Sequence, residues 1–148
     1  MLGLQWQDVD FENKLLHIRR AVVHSNRNQP IVKEPKTKAS KRTVPLAEPL
    51  ANLLTAGEPD EFIIGGERPI SYQQYKRMFR KIQDAFDLSG YTAHDFRDTC
   101  ATEWHEHGMS MDGIAKMLGH ANSAVTEKHY VKFRDAAMTD VKKNMDAV

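Results

Sequence analysis

Between Thr92 and Tyr130 the chain spells out two capped helices, a glycine stop and a short third helix, and little else fits that pattern. Thr92-x-x-Asp95 is a capping box, in which the threonine hydroxyl and the acid satisfy each other's backbone amides. Phe96, Cys100 and Trp104 recur every four residues behind it and predict a helix with that face on the core. Ser110 caps a second helix whose Met111, Ile114, Ala115 and Leu118 point inward. Gly119 ends that helix and presents His120 at its C-terminus. Asn122-Ser123 opens a short helix carrying Tyr130, and residues 133–145 continue as a polar helix with a thin apolar stripe. His94 and Arg97 lie three apart and share a face at a helix start, where amides and dipole favour an anion. Two histidines, an arginine and a tyrosine can therefore converge on one small anionic group.

Taken singly, these pieces are ordinary. A His-x-x-Arg pair is usually surface charge patterning, and a lone tyrosine is usually half-buried packing. The combination is specific. His94-Asp-Phe-Arg97, then Leu118-Gly119-His120, then Tyr130 ten residues after His120 resembles the catalytic domain of the tyrosine recombinases of the bacteriophage integrase type. The resemblance extends over nearly the whole chain. Leu2-Gly-Leu-Gln-Trp6-Gln-Asp8 matches a stretch that in this family follows a helix bearing the first catalytic arginine. Lys36-Thr-Lys38-Ala-Ser-Lys41-Arg42 matches the basic hairpin that carries a catalytic lysine.

The resemblance implies an α+β fold, mainly α-helical, with a small three-stranded antiparallel sheet near the N-terminus. Residues 1–148 are expected to form one integrase-type catalytic domain. They lack the first helix with its arginine and the N-terminal core-binding domain, so the fragment itself is expected to be poorly active. The catalytic residues implied are Tyr130, Arg97, His94, His120 and Lys36, with Lys38 as the alternative hairpin lysine because register there is open. Lys36, Lys38, Lys41 and Arg42 are the implied DNA contacts. Double-stranded DNA is the implied partner, with self-association into a tetramer on it. No cofactor or metal is implied.

Tyrosine is a competent nucleophile on a phosphodiester. Its attack expels a 5′ oxygen and leaves a 3′-phosphotyrosyl bond that a second 5′ hydroxyl can reverse without ATP. Charge develops on the non-bridging oxygens, which a forked arginine stabilises best. His94 and His120 can donate to the same oxygens or help deprotonate Tyr130, and a hairpin lysine can protonate the leaving oxygen.

The rest of the chain agrees with a cytoplasmic globular protein. It has 148 residues, 41% hydrophobic and 28% charged, and a single cysteine, Cys100, which excludes an intrachain disulfide and is expected in the core. No apolar run approaches a membrane span. The formal net charge is only +1, yet residues 19–43 hold eight Lys and Arg against Glu34 alone. On composition, that is equally a phosphate-facing patch or a solvated hairpin. Lys14–Val23, Ile31-Val32 and Arg42–Leu46 are expected as the three strands, and Ala47–Ala56 as a helix. Ser71-x-x-Gln74 opens the best helix, with Tyr72, Tyr75, Phe79, Ile82 and Phe86 assigned to core packing rather than to a base-stacking platform. His105-Glu-His107 suggests a metal site, but two residues apart on a helix these histidines face different ways. The serious rival to a recombinase is a non-enzymatic DNA-binding module, which would need the basic hairpin but none of His94, Arg97, His120 and Tyr130.

Overall fold

The computed structural model describes residues 2–25, 28–35, 37–120, 122–124 and 126–127, without the Lys38 side chain. The chain divides into two compact units, Met1–Ser89 and Gly90–Val148. Among the described residues no helix is long and apolar enough to cross a membrane.

The first unit holds two small antiparallel sheets. A 3-10 turn at Trp6–Asp8 leads into β1 (Val9–Asp10), followed by β2 (Leu15–Ile18), β3 (Ala21–His24), β4 (Pro30–Lys33) and β5 (Arg42–Pro45). Strand order is β1-β2-β5 in one sheet, while β3 and β4 pair as a separate ribbon. The turn between β1 and β2 is set locally. Asp10 accepts from the backbone and side-chain amides of Asn13, both at 2.8 Å, and Lys14 takes a left-handed φ of 53°. That fixes Val9 opposite Leu16, and β5 then adds with Leu16 opposite Val44.

The expected three-stranded sheet is present, but its membership differs. The stretch read as one strand, Lys14–Val23, is two strands in different sheets. The break falls at Arg19-Arg20 because Arg20 is drawn inward. Its guanidinium lies 2.5 Å from Asp8, a carboxylate with 0% of its side chain exposed, which also accepts the Gln5 amide at 3.0 Å. Gly3 packs on the Arg20 carbonyl, where a Cβ would sit 2.9 Å from the oxygen. A buried charge is tolerated only when paired, so this pair decides where the chain leaves the first sheet. The third member of that sheet is β1, which lies outside the three expected strands.

The helix expected over Ala47–Ala56 is a single turn, α1 (Glu48–Ala51). Leu50 and Leu53 remain 46% and 80% exposed, so the segment lacks the docked apolar face that sustains a short helix. α2 (Tyr72–Ala85) starts where expected, its Ser71 hydroxyl and Gln74 side chain forming the capping box. Its aromatic stripe is not core. No residue of α2 is buried. The rings stack on one another instead, Tyr72 on Tyr75 at 6.4 Å and Tyr75 on Phe79 at 5.8 Å between centroids.

The second unit is built on α3 (Ala93–Glu106) and α4 (Met111–Leu118). Ala101, Ile114 and Leu118 form its buried cluster, with Trp104, Met109 and Met111 packed against it. The α3 stripe keeps the expected Trp104 but differs at its other positions. Cys100 is exposed, and the inward positions are Arg97, Ala101 and Trp104, the i, i+4, i+7 set. α4 matches expectation, with Ser110 accepting the Gly113 amide. Gly119 ends it at φ 74°, and the His120 amide returns to the Ala115 carbonyl at 2.9 Å. This is a Schellman stop, open to glycine because only glycine enters that region without penalty. Gly119→Ala is expected to destabilise the domain by about 1 kcal/mol or more, as read by the midpoint of urea unfolding.

Candidate active site

The site residues that the structure describes together are those of the second unit. Thr92 holds the start of α3. Its hydroxyl accepts from the amides of His94 and Asp95 at 3.2 and 3.3 Å, and Asp95 accepts from the Thr92 amide at 2.6 Å. The Thr92 side-chain and backbone donors hold the Asp95 carboxyl below its ordinary value of 3.8, with a smaller contribution from His94. A depressed carboxyl stabilises the fold above its unfolded value, and that contribution is lost as pH falls through the folded one. The N-terminal amides of α3 should therefore lose exchange protection as pH falls below 3.8. Asp95→Asn should remove that acid-dependent step, as followed by hydrogen exchange.

His94 sits in the first turn of α3 with its side chain 61% exposed, its Nε2 3.7 Å from the Asp98 carboxylate. One turn on, Arg97 reaches across to α4. Its Nη2 donates to the Leu118 carbonyl at 2.5 Å, one of the carbonyls a helix C-terminus leaves unpaired. A cation there is also favoured by the helix dipole. Burial pulls the Arg97 guanidinium down from its ordinary value, and the nearby Asp98 pushes it back up. One carbonyl cannot satisfy the five donors of a guanidinium, so the anchored fork keeps donors for another acceptor. His120 follows Leu118 by two residues across the Gly119 turn. Its Nδ1 lies 2.7 Å from the hydroxyl of Thr126. The His-x-x-Arg segment and the Leu-Gly-His segment thus meet at the C-terminal end of α4.

Tyr130 and Lys36 lie outside the described residues, as does the polar helix expected over 133–145. Lys38 begins a 3-10 turn at Lys38–Ser40, and its side chain is also outside. Lys41 donates to Glu34 at 3.0 Å, and Arg42 opens β5 with its guanidinium on the Ser40 carbonyl at 3.3 Å. His105 and His107 turn their Nδ1 atoms to the Met109 and Glu103 carbonyls at 3.4 and 2.8 Å. Among the described residues no three potential metal ligands cluster.

Part of the basic 19–43 stretch gathers on one surface, and two further features escaped the sequence reading. In the first unit Arg19, Arg20, Lys33 and Lys41 line one groove with Val32 and Glu34. α2 carries a polar stripe, Gln73 with the basic Lys76, Arg77 and Arg80, around a shallow depression, and Lys76 lies 5.6 Å over the Tyr72 ring. The i, i+3, i+4, i+7 spacing of that stripe was visible in the sequence. Thr126 gave no such signal.

The chain is of the α+β class, with paired helices in its second unit that bring an arginine and a histidine to one helix terminus. The phage integrase family model matches residues 1–137, and the chain belongs to that family, the tyrosine recombinases. It is 27% identical over 158 aligned residues to a tyrosine recombinase XerC-like protein of Caldanaerobacter subterraneus, covering 88% of this chain and 40% of the relative. It is 27% identical to the transposase from transposon Tn916 of Enterococcus faecalis, over 95% of this chain and 40% of that protein. The chain thus spans about 40% of the length of these relatives. Among solved structures, the Tn1549 transposon integrase in complex with a circular intermediate DNA superposes with a TM-score of 0.68 at 20% identity, over 95% of this chain and 52% of that one. XerA recombinase gives 0.59 at 21% identity, over 97% and 51%. At such identities these structures carry the fold.

Proposed function

We propose that this chain is the catalytic part of an enzyme that cuts and rejoins double-stranded DNA at specific sites through a 3′-phosphotyrosyl intermediate, acting in the cytoplasm and self-associating on its DNA. The observation that carries this reading is the Arg97 guanidinium, half-buried and anchored on the Leu118 carbonyl at 2.5 Å beside His120. An arginine held so rigidly is preorganised for charge that appears only in the transition state. In this reading Tyr130 attacks the phosphorus. Arg97, His94 and His120 donate to the non-bridging oxygens, and Lys36 protonates the departing 5′ oxygen, with Lys38 its alternative.

The DNA duplex would be held by the basic surfaces of the first unit. Arg20 is committed to Asp8 and Lys41 to Glu34, and Arg19 lies 3.9 Å from the other Asp8 oxygen with its side chain 54% exposed, so Arg19 and Lys33 are the groove's more accessible cations for a phosphodiester. Arg42 and the hairpin lysines extend this surface in sequence, and Lys76, Arg77 and Arg80 on α2 add a second row of phosphate-facing charge. The test is a duplex nicked so that the cleaved product diffuses away, incubated with the protein translated from its complete reading frame. A denaturation-stable protein–DNA adduct supports the reading. DNA binding without an adduct overturns it and leaves a non-enzymatic DNA-binding module.

A further inference from the structure

Asp8 and Thr126 are the buried polar residues among those described, at 0% and 1% exposure. Asp8 is paired through Oδ2 with Arg20, and Arg19 lies 3.9 Å from its Oδ1. Thr126 has no role in the chemistry above, and a buried hydroxyl is costly unless it is bonded. Threonines in helices commonly return that bond to the carbonyl four residues back. Thr99 and Thr102 do so here, on Asp95 at 2.9 Å and Asp98 at 3.1 Å. Thr126 instead turns its hydroxyl to His120 Nδ1 at 2.7 Å. His120 is held from its other side by the Schellman stop, its amide bonded to Ala115 at 2.9 Å. Backbone and ring are therefore fixed by two separate contacts.

We propose that Thr126 is a positioning residue for His120, locking the imidazole plane and placing the ring proton on Nε2. A hydroxyl's own proton needs an acceptor, and for the Thr126 hydroxyl, in a residue 1% exposed, the Nδ1 lone pair supplies it. The neutral ring then carries its hydrogen on Nε2, at the edge opposite Thr126. If the ring is protonated, the hydroxyl reverses to accept from Nδ1, and Nε2 still carries a hydrogen. Either way His120 is a donor at Nε2, the form suited to a non-bridging phosphate oxygen. This inference rests on the recombinase reading, in which His120 faces the scissile phosphate.

The test is single-turnover cleavage of the nicked duplex at saturating DNA, with affinity measured in parallel. Thr126→Val keeps the shape and removes the hydroxyl. It is expected to slow cleavage on the order of tenfold, the worth of one such bond, with DNA affinity unchanged. Thr126→Ser should restore the rate. In a His120→Ala background, Thr126→Val should cost nothing further, because the hydroxyl acts only through the imidazole. Should the valine variant fail to fold by circular dichroism, Thr126→Ala carries the same comparison. Cleavage by Thr126→Val at the normal rate, or a loss that adds fully to that of His120→Ala, overturns the positioning role and leaves the recombinase reading standing. A parent protein that forms no adduct overturns both.

Discussion

Tyr130→Phe is expected to abolish the covalent protein–DNA adduct in the protein from the complete reading frame. The substitution removes one oxygen and keeps the ring, so packing and DNA affinity should be nearly unchanged. The reaction proposed here has no other route to a protein-linked phosphate. The tyrosine oxygen becomes the bridge to the 3′ phosphate, and a 5′ hydroxyl leaves. The loss should therefore be complete, whereas a change at a supporting donor leaves residual rate. The adduct is scored on a denaturing gel with labelled duplex, and binding by mobility shift in the same samples. An adduct from the phenylalanine variant would place the nucleophile elsewhere and remove the centre of the proposed mechanism.

Arg97→Ala should lower the cleavage rate by about a hundredfold or more, since removing one preorganised donor from a transition-state oxygen costs on the order of 3 kcal/mol. It should also weaken the fold, because Arg97 caps the end of α4 through Leu118 at 2.5 Å, and a neutral-to-charged hydrogen bond of this kind contributes roughly 1.5–3 kcal/mol. The two effects separate in Arg97→Lys. Lysine keeps the positive charge near the helix terminus, and with it part of the stability. It lacks the planar fork that spans a carbonyl and a phosphate together. Stability should thus recover in the lysine variant more than the rate does. Equal recovery of both, by urea unfolding and single-turnover cleavage, would mean that Arg97 acts as scaffold alone.

Much of the second unit was legible before any coordinates, because its signals are local. Thr92 and Asp95 satisfy amides within one turn, Ser110 does the same for α4, and Gly119 adopts a backbone conformation that other residues resist. Such contacts depend on neighbours in sequence, so spacing reveals them. The α3 core face was legible at Trp104 but not at its other positions. Cys100 is exposed and Arg97 faces inward, and periodicity favours the apolar residue over the arginine because it cannot see the Leu118 carbonyl that makes burial of a guanidinium acceptable. The aromatic stripe of α2 failed for the converse reason. Its helical spacing is real, but apolar spacing assumes a partner surface, and here the rings cover one another.

The sequence by itself determined the family, through residue types in a fixed order, and the ends of the long helices, through caps that need only a few consecutive residues. Tertiary structure alone decided the division of the strands, because the Asp8–Arg20 pair joins residues twelve apart whose charges carry no mark of burial. It alone brought Arg97 to the end of α4, a contact spanning twenty-one residues. It alone turned Thr126 onto His120. Caps and turns are short-range bonds written in adjacent residues, whereas a buried charge or hydroxyl is tolerated only where the fold delivers its partner.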